Sequence, residues 1–363
     1  MKILCAEVEL PAKDLHVDLD YYTKQLGFRL ETIHPSDDPA VAVLSGHGLR
    51  LRLDKNSSAE PGALHLMLDP DGDDIDIQPG EYDATNGTRI VMQMQETTAV
   101  IPVTRHSYQV RRLQDSDPWV IGRAGMMYRD LIDDRLGGSI IASHIRIPDG
   151  GPVPDMMHYH TIGFQLIYCL SGWVRLVYED QGPPFILNAG DCVTQPPRIR
   201  HRVLESSDNL EVLEIGVPAH HMTTIDHDLE LPTENYNPQR EFDGQVFCHH
   251  RLKEANWQPC QQGALNGRDT GIATATRGLA AVDVFRTDQS ANEETGGTIA
   301  IKGSSDIHFM LVSNGEVTVD PESTESTESS RLAGGDALVL PPGMTINLSG
   351  YSRNFEFIQV CIK

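Results

Sequence analysis

The chain has 363 residues, more than a single hydrophobic core usually serves, so two or three domains are expected. Its 52 acidic against 29 basic residues give a formal net charge of −23, which repels phosphate backbones and anionic lipid surfaces and excludes nucleic acid and membranes as expected partners. Thirty-one glycines and 22 prolines break the apolar sequence into short runs, which favours strands and turns over long helices. The six cysteines are scattered without a C-x-x-C pair, as expected of reduced thiols, and "MKILCAEVELPAKDL" lacks a signal-peptide core. A cytoplasmic location follows as the expectation.

In chain order, "AEVELPAKDLHVDLDYYTKQLGFRLETI" predicts a strand, a helix with Leu15, Leu19, Tyr22 and Leu26 on its apolar face, and a second strand. "PAVAVLSGHGLRLRLD" adds two strands around a Gly-His-Gly turn, completing a βαβββ module over residues 1–60. Residues 61–104 read as a connecting segment.

Beyond it the chain repeats itself. "YCLSGWVRLV" around Gly172 matches "MLVSNGEVTV" around Gly315, and "AGDCVTQPP" ending at Pro197 matches "GGDALVLPP" ending at Pro342. The same spacing sets Gly122 of "IGRAGMMYRD" against Gly267 of "NGRDTG". Each copy alternates β-branched and aromatic runs with Gly and Pro, the pattern of a sandwich or barrel. The copies occupy residues 105–224 and 245–363, with the polar, aperiodic stretch 225–244 as a linker or arm. "DPESTESTESSR" (Asp320–Arg331) reads as a mobile loop of low complexity.

The chemistry concentrates in "HYHTIGFQLIYCLSGW". On a strand, His158 and His160 project to one face; the turn at Gly163 brings Gln165 across from them, and "RIRHRV" delivers His201 from a third segment. Three imidazoles and an amide suit one divalent transition metal per chain (Fe, Mn, Ni, Co or Zn), which the ligands alone do not distinguish. Four protein ligands on an octahedral ion leave about two positions for water, substrate or O2. A neutral glutamine in place of a carboxylate preserves the full charge of the ion and favours an anionic chelating substrate. Ile167 and Cys169 share the Gln165 face and are candidate pocket residues. His144 and Arg146, alternating on the preceding "SHIRI" strand, are candidates for binding a substrate carboxylate or serving as base. His220-His221, Cys248-His249-His250 and Asp226-His227-Asp228 are set aside, because adjacent residues on an extended chain point apart. No nucleophile elbow, phosphate loop or Ser-His-Asp pattern is present.

These residues resemble the cupin superfamily. Its first motif is matched by Gly151, His158, His160, Gln165 and Gly172, with glutamine where glutamate is usual. The second is matched by Gly190, Pro196 and His201, with Arg198 where glycine is usual. The resemblance implies that His158, His160, Gln165 and His201 are metal ligands. With the repeat it implies a bicupin: mainly β, two double-stranded β-helix (jelly-roll) barrels. In the second copy Ile301, Gly303 and Ile346 stand where the histidines would, and His308 where Gln165 does, so that barrel is expected to be metal-free and structural. The N-terminal stretch is similar to one module of the glyoxalase/bleomycin-resistance (vicinal oxygen chelate) superfamily. Its His16, His34 and His47 lack the partners a second module would supply, so a packing or dimerisation role, and a homodimer, are expected. The function implied is a metal-dependent enzyme on a small oxygenated, aromatic or diketone-like substrate, with dioxygenase favoured over isomerase. The alternatives are a non-catalytic small-molecule sensor and a metal-free epimerase-like barrel.

Overall fold

The structure is a computed structural model that describes residues 2–70, 78–95, 98–115, 119–260, 265–287, 297–322 and 328–363. It divides into two units, Met1–Thr97 and Thr98–Lys363. Residues 323–327 of the Asp320–Arg331 stretch lie outside the described residues. Among the described residues no helix is long and apolar enough to cross a membrane, and all six cysteines are free.

In the first unit, Asp14 caps the helix Leu15–Asp20 by accepting from the backbone N–H groups of His16 and Val17. Leu15, Tyr22 and Leu26 then face a sheet whose order is Val8–Pro11, Leu49–Asp54, Val41–Gly46, Arg29–His34, with the first pair parallel. The stretch 61–104, read above as a connector, holds three more strands, ordered Ala63–Leu68, Arg89–Met94, Gly80–Asp83. Their parallel and then antiparallel pairing repeats that of Val8–Pro11, Leu49–Asp54 and Val41–Gly46. Leu64, Ile90 and Met92 from these strands join the same core as Leu44 and Leu51. Buried Asn86 ties the two sheets by donating to the Pro11 carbonyl and accepting from the Tyr22 hydroxyl.

The second unit contains the two barrels, and their large sheets match strand for strand. One seven-stranded sheet runs His249–His250, Cys192–Thr194, Phe164–Ser171, Leu210–Val217, Ile141–Ile147, Met127–Asp130, Val120–Ile121. The other runs Gln109–Arg111, Ala337–Val339, Ile307–Asn314, Glu356–Ile362, Ala280–Thr287, Leu265–Asp269, Gln258–Pro259. Each is faced by a smaller sheet, one built on Trp173–Tyr178 and His201–Ser206, the other on Glu316–Glu322 and Thr345–Ser349. The first strand of each large sheet comes from the other repeat's side of the chain: Gln109–Arg111 precedes the first barrel yet pairs in the second, and His249–His250 does the reverse. Matching aspartates secure both exchanges, Asp336 accepting from the backbone N–H of Leu113 and Asp191 from that of Leu252, each at 2.7 Å.

Strand periodicity explains why the central strands are apolar almost throughout. Phe164, Leu166 and Tyr168 point outward and meet Ile307, Phe309 and Leu311 in one core between the large sheets. Ile167 and Cys169 point into the first barrel, Met310 and Val312 into the second. The repeat anchors at Gly172 and Gly315 take equivalent turns with φ of 75° and 73°. At each, a serine hydroxyl (Ser207 or Ser352) accepts from the next backbone N–H, of Trp173 or Glu316. The proposed pairing of Gly122 with Gly267 does not hold in space. Arg129-Asp130 and Arg268-Asp269 occupy corresponding positions instead, on strands that pair with Ile141–Ile147 and Ala280–Thr287.

The region 225–244 is packed against the first barrel. Ile225 pairs with His158, Tyr236 bridges to Gln181, and Arg240 bonds Glu179 and Asp180 at 2.7 and 2.8 Å.

A Cβ on Gly172 would collide with Ser207 Oγ, and one on Gly315 with Ser352 Oγ, in a left-handed conformation that already disfavours L side chains. Gly172→Ala and Gly315→Ala are each expected to lower stability by about 2 kcal/mol in urea titrations. A loss in one variant only would refute the equivalence of the two turns, and an unchanged midpoint in both would refute the collision.

Candidate metal centre

The three histidines arrive on two paired strands. His158 and His201 stand directly opposite one another across His158–Thr161 and His201–Ser206, and His160 lies two residues further along. Their ligating nitrogens fall within 4.8 Å of one another, and ring centroids are 4.3 to 5.2 Å apart. All three residues are buried.

Hydrogen bonds on the far side of each ring decide which nitrogen is available. His158 Nδ1 lies 2.7 Å from the Met156 carbonyl and His201 Nδ1 2.9 Å from the Ile199 carbonyl. A carbonyl only accepts, so both Nδ1 atoms carry hydrogen and both Nε2 atoms carry a lone pair. His160 Nδ1 meets the hydroxyl of Thr223, its partner across the sheet, at 2.9 Å. Burial pushes the pKa of His160 and His201 well below the usual imidazole value, and the neighbouring rings add to the effect. His158 is lowered by burial and by the Arg123 guanidinium. The rings are therefore neutral at pH 7. His158 Nε2 is buried without a hydrogen-bond partner.

Gln165 carries the second orphan. Its Nε2 donates to Glu214 at 2.6 Å, while its buried Oε1 has no partner. The carboxylate can only accept, which fixes the amide orientation and leaves the oxygen as the free end. Three neutral imidazoles and two partnerless buried donor atoms fit a borderline divalent ion, for which buried lone pairs otherwise have no compensation.

His160 and His201 open onto a cavity of about 580 Å³, mouth included. Its walls are apolar, among them Met126, Ile145, Ile147, Ile167, Leu176 and Val203. Besides the histidines, polar groups are carried to it by Arg123, Tyr128, Tyr178, Gln195 and Glu214. Arg123 pairs with buried Asp155, whose carboxylate also accepts from the backbone N–H groups of Met156 and Val203. Tyr178 stacks on His201 at 5.5 Å between centroids and accepts from Gln195 Nε2 at 2.8 Å.

Of the pocket candidates read from sequence, Ile167 lines the cavity. Cys169 sits deeper in the barrel core, its thiol directed to the Ser171 and Gly172 carbonyls. His144 and Arg146 take the face of Ile141–Ile147 opposite to the cavity-lining Ile145 and Ile147. His144 is held between Arg129 and Glu211, each at 2.9 Å, and Arg146 bonds Asn209. Of the residues set aside, His221 comes nearest the site, edge-on to His160 at 5.3 Å, with Nδ1 against the Pro218 carbonyl. His249 stacks on Phe185, and His250 meets Arg268. In the first unit His47 bonds the Leu26 carbonyl, and His16 and His34 are exposed. The sequence reading missed Arg123, Tyr178, Gln195 and Glu214. A signal existed for Glu214: Leu213 and Ile215 face the shared core, so the acid between them is a lone charge on an inward strand face.

Comparison with known proteins agrees with this geometry. Residues 143–216 match the family described as "Cupin domain". The protein Ylba from E. coli has a similar structure, with a TM-score of 0.50 and 11% identity over 74% of this chain and 95% of that one. The fold is that of a bicupin. A salicylate 1,2-dioxygenase from Pseudaminobacter salicylatoxidans gives a TM-score of 0.52 at 13% identity, covering 74% of this chain and 88% of that one. A Lactobacillus farciminis oxalate decarboxylase in complex with formate gives 0.52 at 13% identity, covering 73% and 89%. None of the curated proteins matches the sequence significantly. At such identities the likeness is one of fold.

Glu214 orients Gln165 through a buried bond, so its removal should release the amide and weaken ion binding. Glu214→Ala is expected to lower transition-metal affinity by about 10- to 100-fold, measured by competition with a chromophoric chelator. Unaltered affinity would show that Gln165 takes no part in holding an ion.

Proposed function

We propose that the first barrel is the active site of a metal-dependent enzyme acting on a small oxygenated anion with an apolar, aromatic or diketone-like body. The observation that carries this reading is the convergence of three neutral imidazoles, two of them on the wall of an apolar cavity, with His158 Nε2 buried and partnerless. His158, His160 and His201 would hold the ion and Gln165 Oε1 would be the fourth donor. A bound divalent ion supplies Lewis-acid polarisation of adjacent substrate oxygens and, with a redox-active metal, activation of O2.

The protein's own residues do the rest. The aliphatic walls hold the substrate body and exclude water, which strengthens every charge interaction inside. Arg123 lies 3.5 Å from His158 Nδ1 and lines the cavity, so its guanidinium can bind a substrate carboxylate or enolate while Asp155 keeps it in place. Tyr178 accepts from Gln195, which leaves its hydroxyl hydrogen for a substrate oxygen. Burial raises the phenol pKa, so Tyr178 acts as a donor and stays protonated. Glu214, on the cavity wall, is placed to take a substrate proton. Oxidative cleavage is preferred to isomerisation because three imidazoles without a carboxylate leave open positions for O2, and a salicylate 1,2-dioxygenase is among the proteins that share the fold.

Purified protein is expected to carry about one transition ion per chain, and oxygen uptake should appear on screening catechols, hydroxybenzoates and β-diketones. His158→Ala should lose both the ion and the turnover with an unchanged melting profile. A metal-loaded His158→Ala variant with wild-type turnover would overturn the proposal. A metal-loaded wild type without turnover on any chelating substrate would point to a sensor.

A further inference from the structure

The second barrel has lost the histidine pair and kept a cavity. Ile301 and Ile346 stand opposite one another where His158 and His201 do in the first barrel. Among the described residues the candidate metal group is the three-histidine cluster of the first barrel. The interior beside Ile301 is nonetheless hollow, about 620 Å³ with its mouth, and is walled by Leu265, Phe285, Ile299, Ile301 and Phe357.

His308 projects into this space from the position that Gln165 holds in the first barrel. It is only 2% exposed, and neither ring nitrogen makes a well-formed hydrogen bond. Burial lowers its pKa, and the nearby Gln359 side chain opposes this only in part, so the ring is neutral. An imidazole that serves only packing would be replaced by an apolar residue without loss, whereas a buried ring with both nitrogens unanswered is destabilising unless something fills the cavity. Gln359 lines the same cavity, and Lys302 and Ser304 line it where the chain is exposed.

From this arrangement we propose that the second barrel is a metal-free binding site for a small aromatic carboxylate. The imidazole N–H, the Gln359 amide and the Lys302 ammonium supply donors for the carboxylate, and among the described residues that line the cavity none is acidic. The stacked Phe285 and Phe357 rings, 5.1 Å apart at 24°, give the wall a flat aromatic surface for the ligand ring. The site needs no ion, so it stands independently of the reading given for the first barrel.

The test is calorimetric titration of the full-length protein with benzoate, in the wild type and in a His201→Ala background that removes a first-barrel ligand. Saturable one-site binding is expected to persist in His201→Ala. His308→Leu, which keeps the bulk and removes the donor, should weaken it at least about tenfold, and Lys302→Gln by a smaller factor that vanishes at high salt. Ile301→Trp fills the cavity and should abolish binding while leaving metal content unchanged. Absence of benzoate binding in the wild type would overturn the proposal. So would binding that is lost in His201→Ala, or binding unaffected by His308→Leu and Lys302→Gln.

Discussion

Two buried arginines hold the barrels in register. Arg268, 2% exposed, leaves the second barrel to donate to the Tyr168 hydroxyl at 2.6 Å and to the Gly190 carbonyl at 2.9 Å, and it meets His250 at 2.9 Å. Arg129, 3% exposed, leaves the first barrel to donate to the Gly335 carbonyl at 3.1 Å and meets His144 at 2.9 Å. Gly190 and Gly335 are corresponding residues of the repeat, so the two contacts are one interaction made twice in opposite directions. A guanidinium removed from water is tolerated only when its N–H groups find acceptors, and here some of those acceptors are backbone atoms of the facing barrel. Sliding one sheet along the other would strand both charges. The apolar core between the sheets provides the adhesion, and the arginines fix where it takes hold.

Within that fixed frame the candidate metal centre is built from neutral parts. His158, His201 and Gln165 are each oriented by a single far-side acceptor, the Met156 carbonyl, the Ile199 carbonyl or the Glu214 carboxylate. The negative charge of Glu214 stands behind the amide. Were an ion held by the imidazoles and the amide oxygen, Glu214 would act on it from behind the amide, and the ion would keep more attraction for an anionic ligand than one bound to a carboxylate. Arg198 shows a related accommodation. It occupies the position where glycine is usual, with φ of 63°, and its guanidinium is bound by Asp243 at 2.6 and 2.8 Å.

What the sequence made legible was local and periodic. The alternation in "FQLIYCL" put Gln165 and Ile167 on the inward face, and the H-x-H spacing put two imidazoles on one side of one strand, because a strand repeats every two residues. The turn glycines at 172 and 315 were legible because L residues avoid that conformation. His144 and Arg146 show the limit of such reasoning: alternation places them on one face of a strand without saying which face looks inward. Arg123, Tyr178 and Gln195 reach the cavity from separate loops and strands, and nothing within a few residues of each marks the destination. The strands between 63 and 94 were missed because each is short and largely exposed, and the parallel partner of Ala63–Leu68 lies beyond the intervening hairpin strand.

The swapped strands Gln109–Arg111 and His249–His250 carry a consequence for the protein's history and handling. A gene severed between the repeats would yield two fragments, each with a bare sheet border whose amides are ready to pair with any passing chain. The duplicated halves are thus bound to a common fate: the interior of either can change its chemistry, but neither half can leave.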